Sequence, residues 1–87
     1  MYCVITYDIN AVRNRKMLSL LRQYLYHAQK SVFEGELTNA QLKQLLSQVE
    51  QIMHKNSSDV LTVYTALIPS QIQKTELVSS SDEKNII

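Results

Sequence analysis

Residues 2–9 form a mostly apolar run whose only charged residue is Asp8, a pattern that is typical of a buried β-strand. One face of this strand carries Cys3, Ile5, Tyr7 and Ile9, and the other carries Tyr2, Val4, Thr6 and Asp8. Because apolar side chains occur on both faces, we expect a central strand that is covered on both sides. Asp8 then lies at the carboxyl end of the strand, on the second face.

A helical pattern follows from about Ala11 to Tyr26, where apolar residues recur every three or four positions. The stripe consists of Met17, Leu18, Leu21, Tyr24 and Leu25. Asn10 is a suitable N-cap for this helix.

Residues 27–37 form a second extended segment, either one bent strand or two short ones. Gly35, the only glycine of the chain, lies inside it and suggests a bulge, a bend or a tight turn. Thr38 and Gln41 then have the spacing of a capping box, and a second amphipathic helix runs to about His54. The apolar stripe of this helix consists of Leu42, Leu45, Leu46, Val49, Ile52 and Met53.

The last third of the chain predicts strands and a polar end. Residues 56–59 indicate a loop, and residues 60–68 form a β-rich strand that Pro69 stops. Residues 75–79 add a short edge strand. We therefore assign residues 1–78 to one domain and expect residues 79–87 to form a polar, mobile tail.

Two helices alternating with strands predict an α+β sandwich with both helices on one face of the sheet. The opposite face of that sheet would be apolar and bare. A second copy of the chain could cover it, which would also help an 87-residue domain of marginal stability.

The composition of the chain argues against several classes of protein, among them membrane-spanning and nucleotide-binding proteins. Cys3 is the only cysteine and fits a buried thiol in a reducing compartment. No apolar run approaches the ~20 residues of a membrane span, and no signal-type segment occurs. His27 and His54 have no metal-ligand partner at useful spacing, and there is no glycine-rich phosphate loop. We expect a cytoplasmic protein without a nucleotide cofactor.

The net charge of +1 conceals an asymmetry along the chain. Residues 1–30 carry five cations against Asp8 alone, a formal +4, whereas residues 31–87 carry four lysines against seven acids, a formal −3. Such a distribution can give one face of a near-neutral protein an affinity for phosphate. Simple solvation of a helix surface is the alternative.

Asp8 is the most informative single residue. It closes an apolar strand, and Arg13, Arg15 and Lys16 follow within the first turns of the helix, where the helix dipole mildly disfavours cations. A carboxylate with several cationic side chains nearby is expected where a bound metal ion contacts a phosphate group. The structural alternative is that Asp8 caps the following helix or forms an ion pair with Arg13.

The chain resembles a known family in two blocks. The first is the opening Met1–Ile9 with Arg13 and Lys16, and the second is residues 29–37, Gln-Lys-Ser-Val-Phe-Glu-Gly-Glu-Leu. With the strand at residues 61–64, these blocks resemble the CRISPR-associated protein two family over roughly residues 1–68. The chain after Pro69 does not align with the family pattern.

The resemblance implies a ferredoxin-like βαββαβ fold, a homodimer, and metal-dependent endoribonuclease activity, with double-stranded DNA as a further substrate of some members. It also implies a partnership with the CRISPR integrase in spacer acquisition. On this analogy Asp8 binds Mg²⁺, and because one carboxylate cannot build a Mg²⁺ site, two copies of Asp8 would meet at the dimer axis. The expected nucleic-acid contacts are Arg13, Arg15, Lys16, Lys30 and Ser31, with Tyr7 and Phe33 as further candidates. The alternative for Phe33 is the core, where an aromatic residue of an alternating strand more often lies, and Tyr7 likewise could face the helices.

Three other functions remain open at this point. The first is a non-catalytic scaffold that holds duplex DNA for the integrase through the same basic residues. The second is a toxin-type ribonuclease of the VapD kind with the same dimeric fold. The third is a ferredoxin-like binding module for a small ligand.

Overall fold

The computed structural model describes residues 1–53, 57–67, 72–78 and 84–86. Six strands and two helices follow one another along these residues. In chain order they are β1 (Tyr2–Asp8), α1 (Ala11–Arg22), β2 (Tyr26–Gln29), β3 (Val32–Glu36), α2 (Asn39–Ile52), β4 (Val60–Ala66), β5 (Ile72–Val78) and β6 (Lys84–Ile86).

All strands belong to one antiparallel sheet in the order β2-β3-β1-β4-β5-β6. The first four strands and two helices form a βαββαβ unit whose sheet order, β4-β1-β3-β2, is that of the ferredoxin-like fold. The predicted α+β class and topology are confirmed. β1 is the central strand, hydrogen-bonded to β3 on one side and to β4 on the other.

The core lies between the sheet and the helix layer. Cys3, Ile5 and Tyr7 of β1 are buried on this side, as the alternation predicts. The helices bury the same apolar stripes that their spacing indicates: Met17, Leu20 and Leu21 from α1, and Leu42, Leu45 and Val49 from α2. Asn10 caps α1, and Thr38 and Gln41 form the predicted capping box of α2.

The other side of the sheet, which we call the open face, carries the alternate residues of each strand. Val4 lies there between Glu34 of β3 and Tyr64 of β4, and these side chains are half-buried. Within the described residues, no helix packs on this face. The expectation that both faces of β1 are covered is met on one side only in the isolated chain.

Two elements differ from their predicted form. Helix α1 ends at Arg22 rather than near Tyr26, because the chain turns there and Leu25 packs beside β3. The extended segment is a hairpin of two strands that turns at Lys30 and Ser31, and its register shift lies between His27 and Gln29.

Gly35 therefore serves packing rather than the turn. It lies in β3, where a Cβ atom would stand 3.2 Å from Cδ2 of Leu25. The close approach of these two segments accounts for the glycine.

The carboxyl-terminal part extends the sheet. β5 begins at Ile72, and it is not an edge strand because residues 84–86 of the expected tail pair with it as β6. His54, Pro69, residues 79–83 and residue 87 lie outside the described residues. None of the described helices is long and apolar enough to cross a membrane.

Candidate metal and phosphate site

Asp8 ends β1 with its side chain exposed. Within the described part of the chain, its carboxylate has no hydrogen bond or ion pair, and both structural roles considered for it belong to other residues. The Asn10 side chain accepts the hydrogen bond from the Val12 amide at 2.9 Å, and Asp59 is the partner of Arg13. Asp8 is thus available to a ligand.

A cleft of about 220 Å³ opens beside Asp8. Its lining comes from the end of β1, the start of α1 and the β2–β3 turn: Tyr7, Asp8, Ile9, Ala11, Asn14, Lys30 and Ser31. The Tyr7 amide donates to the Ser31 carbonyl oxygen at 3.2 Å, which holds the turn against β1. The structure therefore brings Lys30 and Ser31 beside Asp8, where the sequence placed them. Their contact with nucleic acid stays a prediction.

Tyr7 and Asn14 form one wall of this cleft. The Tyr7 hydroxyl donates to Oδ1 of Asn14 at 3.1 Å, and burial raises the pKa of Tyr7 although the charge of Arg22 lowers it. Tyr7 faces the helices and is a neutral donor. Asn14 was missed from sequence, yet it lies one helical turn after the Asn10 cap, a spacing that places both on the same side of α1.

Phe33 belongs to the core and not to the surface. Its side chain is 0% exposed, and its ring stacks on His27, with the centroids 4.4 Å apart, and lies 6.3 Å from the ring of Tyr7. The structure gives Phe33 the core position that the strand pattern offered as the alternative, and no face of its ring is open in this conformation. In residues 29–37, the block that resembles the family, the aromatic residue Phe33 is therefore part of the core.

Arg15 and Lys16 are exposed on α1 but face a different region. They line a groove of about 470 Å³ between the two helices, together with Ser19, Leu20, Gln23, Gln48, Gln51 and Ile52. This helix groove shares no lining residue with the Asp8 cleft. The cations expected to act with Asp8 are therefore divided between two places.

Arg13 has a specific partner that the sequence did not reveal. Its Nε and Nη2 atoms donate to the Asp59 carboxylate at 2.7 and 2.8 Å. The hydrogen bond to Asp59 raises the pKa of Arg13, burial offsets part of this effect, and the Asp59 charge adds to the rise, so Arg13 stays charged. These contacts give Arg13 a role inside the molecule, and its contact with nucleic acid stays a prediction. Asp59 was interpreted as a loop residue because its neighbours are polar.

A metal ion would find one carboxylate per chain at this site. Among the described residues, no group of three His, Cys, Asp or Glu side chains could hold a metal ion. Mg²⁺ nevertheless binds through one or two carboxylates when substrate phosphates and waters complete its six oxygens. The exposed Asp8, with Ser31 and Asn14 beside it, is compatible with such a site.

The chain matches a known protein family over most of its length. The family described as "CRISPR associated protein Cas2" matches residues 1–71. The chain belongs to the CRISPR-associated protein Cas2 family. The resemblance read from the two sequence blocks is confirmed.

Two curated Cas2 relatives are each more than a third identical to the chain over the aligned residues. The protein of Methanosarcina acetivorans is 39% identical over 61 residues, which cover 70% of each chain. That of Frankia alni is 36% identical over 73 residues, which cover 84% of this chain and 83% of the relative. Each is named "CRISPR-associated endoribonuclease Cas2".

A solved Cas2 structure has the same fold. The chain superimposes on a protein described as "Crystal structure of cas2" with a TM-score of 0.70 and 39% identity. The match covers 74% of this chain and 71% of the other. The Asp8 cleft therefore lies on a Cas2 scaffold.

Proposed function

We propose that this Cas2 family member is a Mg²⁺-dependent endonuclease that hydrolyses phosphodiester bonds of RNA, with DNA as a second substrate class. The observation that supports the proposal is the exposed Asp8, which has no partner within the described residues and adjoins Lys30 and Ser31. The relatives named as endoribonucleases support the choice of RNA.

The active unit in this proposal is a homodimer. One Asp8 gives a single ligand, and two copies meeting at a dimer axis would present two carboxylates to one Mg²⁺. The bound Mg²⁺ would supply an activated water and polarise the phosphodiester. Lys30 would then bind a phosphate by charge, and Ser31 and Asn14 would hold it by hydrogen bonds.

The test is the substitution Asp8→Asn, which keeps the shape and removes the charge. Removing a residue that hydrogen-bonds to a metal ligand typically lowers activity by about 10–100-fold. Removing the charge of the ligand itself should therefore lower the rate of Mg²⁺-dependent cleavage by at least about 100-fold. Nucleic-acid affinity, measured separately by fluorescence anisotropy, should stay within about twofold, because the phosphate contacts remain. Glu50→Gln, the same change on the exposed side of α2, is the matched control and should cleave normally.

A second candidate is a DNA-holding subunit of the integrase complex that does not cleave. The observation that favours it is the helix groove with Arg15 and Lys16, which lies apart from Asp8 and so needs no catalytic partner. In this role the protein would hold duplex DNA for the CRISPR integrase during spacer acquisition. If the unaltered protein cleaves neither RNA nor DNA with Mg²⁺ at any pH tested, the nuclease proposal fails and this one replaces it.

A further inference from the structure

Asp59 is a buried carboxylate next to the strand pair that carries Asp8. It directly precedes β4, whose first residue Val60 is the register partner of Asp8. The Asp59 side chain is 1% exposed, and besides Arg13 it accepts the backbone amide hydrogen of Asn10 at 3.0 Å. From the described residues alone, three hydrogen bonds converge on this one carboxylate.

These bonds fix the turn that joins β1 to α1. The turn consists of Ile9 and Asn10. The amide of Asn10 is held by Asp59, its side chain caps α1 through Val12, and its carbonyl oxygen accepts from the Arg13 amide at 2.9 Å. Asn10 is therefore fixed at three atoms, two residues from Asp8.

The ion pair between Arg13 and Asp59 favours one conformation of the β1–α1 turn more than it raises the stability of the fold. Burying the Asp59 carboxylate costs desolvation free energy, which its attraction to the partly exposed Arg13 offsets only with excellent geometry. A bidentate arginine–carboxylate pair with short bonds has that geometry, and it tolerates little rotation. Any movement of the β1–α1 turn would break it.

We infer that Asp59, through Arg13 and the Asn10 amide, is a positioning residue that sets the direction of the Asp8 carboxylate. The inference rests on the proposed nuclease function of Asp8. It assigns Arg13 to the ion pair with Asp59 and leaves phosphate binding to Lys30, Arg15 and Lys16. Asp59 itself touches neither substrate nor metal.

The experiment compares Asp59→Asn and Arg13→Lys with the unaltered full chain. Asn removes the charge of the acceptor, and Lys keeps the charge of the donor but cannot form two parallel bonds. Arg22→Lys is the matched control on the same helix. Urea unfolding of each variant establishes that the comparison is made on folded protein, and Arg13→Lys carries the test if Asp59→Asn does not fold.

Three comparisons separate positioning from general destabilisation. Because a misplacement of about 1 Å can cost about 100-fold in rate, kcat at saturating Mg²⁺ should fall about 10–100-fold while substrate affinity stays within about twofold. Amide hydrogen exchange should accelerate at residues 9–12 and stay unchanged in α2. The kcat of the double variant should be no lower than that of the less active single variant, since both changes break the contact between Arg13 and Asp59.

Each outcome decides the inference. Faster exchange confined to the turn, together with lower kcat and non-additive losses, supports it. Unchanged exchange at residues 9–12 overturns it, and so does faster exchange with unchanged kcat. If the unaltered protein cleaves nothing, the proposed function fails, and the exchange data alone decide whether Asp59 holds the turn.

Discussion

Two aspartates of this chain have opposite environments and therefore opposite roles. Asp8 is exposed and has no partner among the described residues, so it can bind a ligand. Asp59 is buried with its carboxylate fully engaged, so it can only hold structure. Residue type alone does not distinguish a ligand from a structural anion; the difference lies in the partners.

Sequence reasoning found one of these residues for a physical reason. Asp8 stands out because it closes a mostly apolar run, and that pattern is local. The partner of Asp59 lies 46 residues away, and no local pattern reports a contact of that range. The polar neighbours of Asp59 indicated a loop, which the described residues 57–59 form, but they did not indicate the contact with Arg13.

Cys3 offers a pH-dependent prediction at this scale. Burial raises the pKa of its thiol, while the N-terminal ammonium lowers it and Glu36 raises it. Its folded pKa thus exceeds the unfolded value of about 8.5. The stability linked to the protonated thiol is complete below about pH 8.5 and is lost as the pH rises toward the higher folded pKa.

The measurement is urea unfolding of the unaltered protein and of Cys3→Ala over an alkaline pH series. The unaltered protein should be the more stable at neutral pH, since alanine leaves a cavity in the core. Its advantage should shrink as the pH rises, while the other alkaline groups cancel in the difference. A difference that does not change with pH would contradict the assignment of a buried thiol.

At the scale of elements, periodicity located both helices and their caps, because side-chain spacing and capping are local properties. It extended α1 too far, since Tyr24 and Leu25 continue the apolar stripe although the helix has ended. The β2–β3 hairpin was ambiguous because its turn at Lys30 and Ser31 lacks the glycine or asparagine of common hairpin turns.

Helix α1 also carries a prediction about binding. Lys16→Ala should weaken the binding of duplex DNA and reduce the slope of log affinity against log salt by about 0.9 in magnitude, because one phosphate contact is lost. Lys43→Ala removes the same charge from the exposed surface of α2, outside the helix groove, and is the control. Equal effects of the two variants would show that net charge, and no particular groove, determines affinity.

At the scale of the whole molecule, helices cover one face of the sheet, and no described helix covers the other, open face. The core fills the helix side, whereas the open face presents half-buried Val4, Thr6 and Tyr64 to solvent in the isolated chain. The sequence predicted this face from the apolar residues on both sides of β1. It could not show what covers the face, because an interface between copies depends on shape.

Val4→Asp tests the proposed homodimer. The change places a carboxylate in the interface twice by symmetry, and an unpaired buried charge costs several kcal/mol, so the dimer dissociation constant should rise at least about 100-fold. Analytical ultracentrifugation measures it, with circular dichroism to verify folding. Gln44→Asp adds the same charge on the exposed surface of α2 and should leave the dimer intact. A Val4→Asp protein that still sediments as a dimer would place the interface elsewhere.

The register of β1 makes the strand intolerant of insertion. It is hydrogen-bonded on both edges, to β3 and to β4, so neither neighbour can follow a slip without breaking the other ladder. A single residue inserted before Asp8 would exchange the two faces of the strand beyond it and turn the carboxylate toward the hydrophobic interior. Length variation in this family should therefore concentrate in the loops and spare residues 2–8.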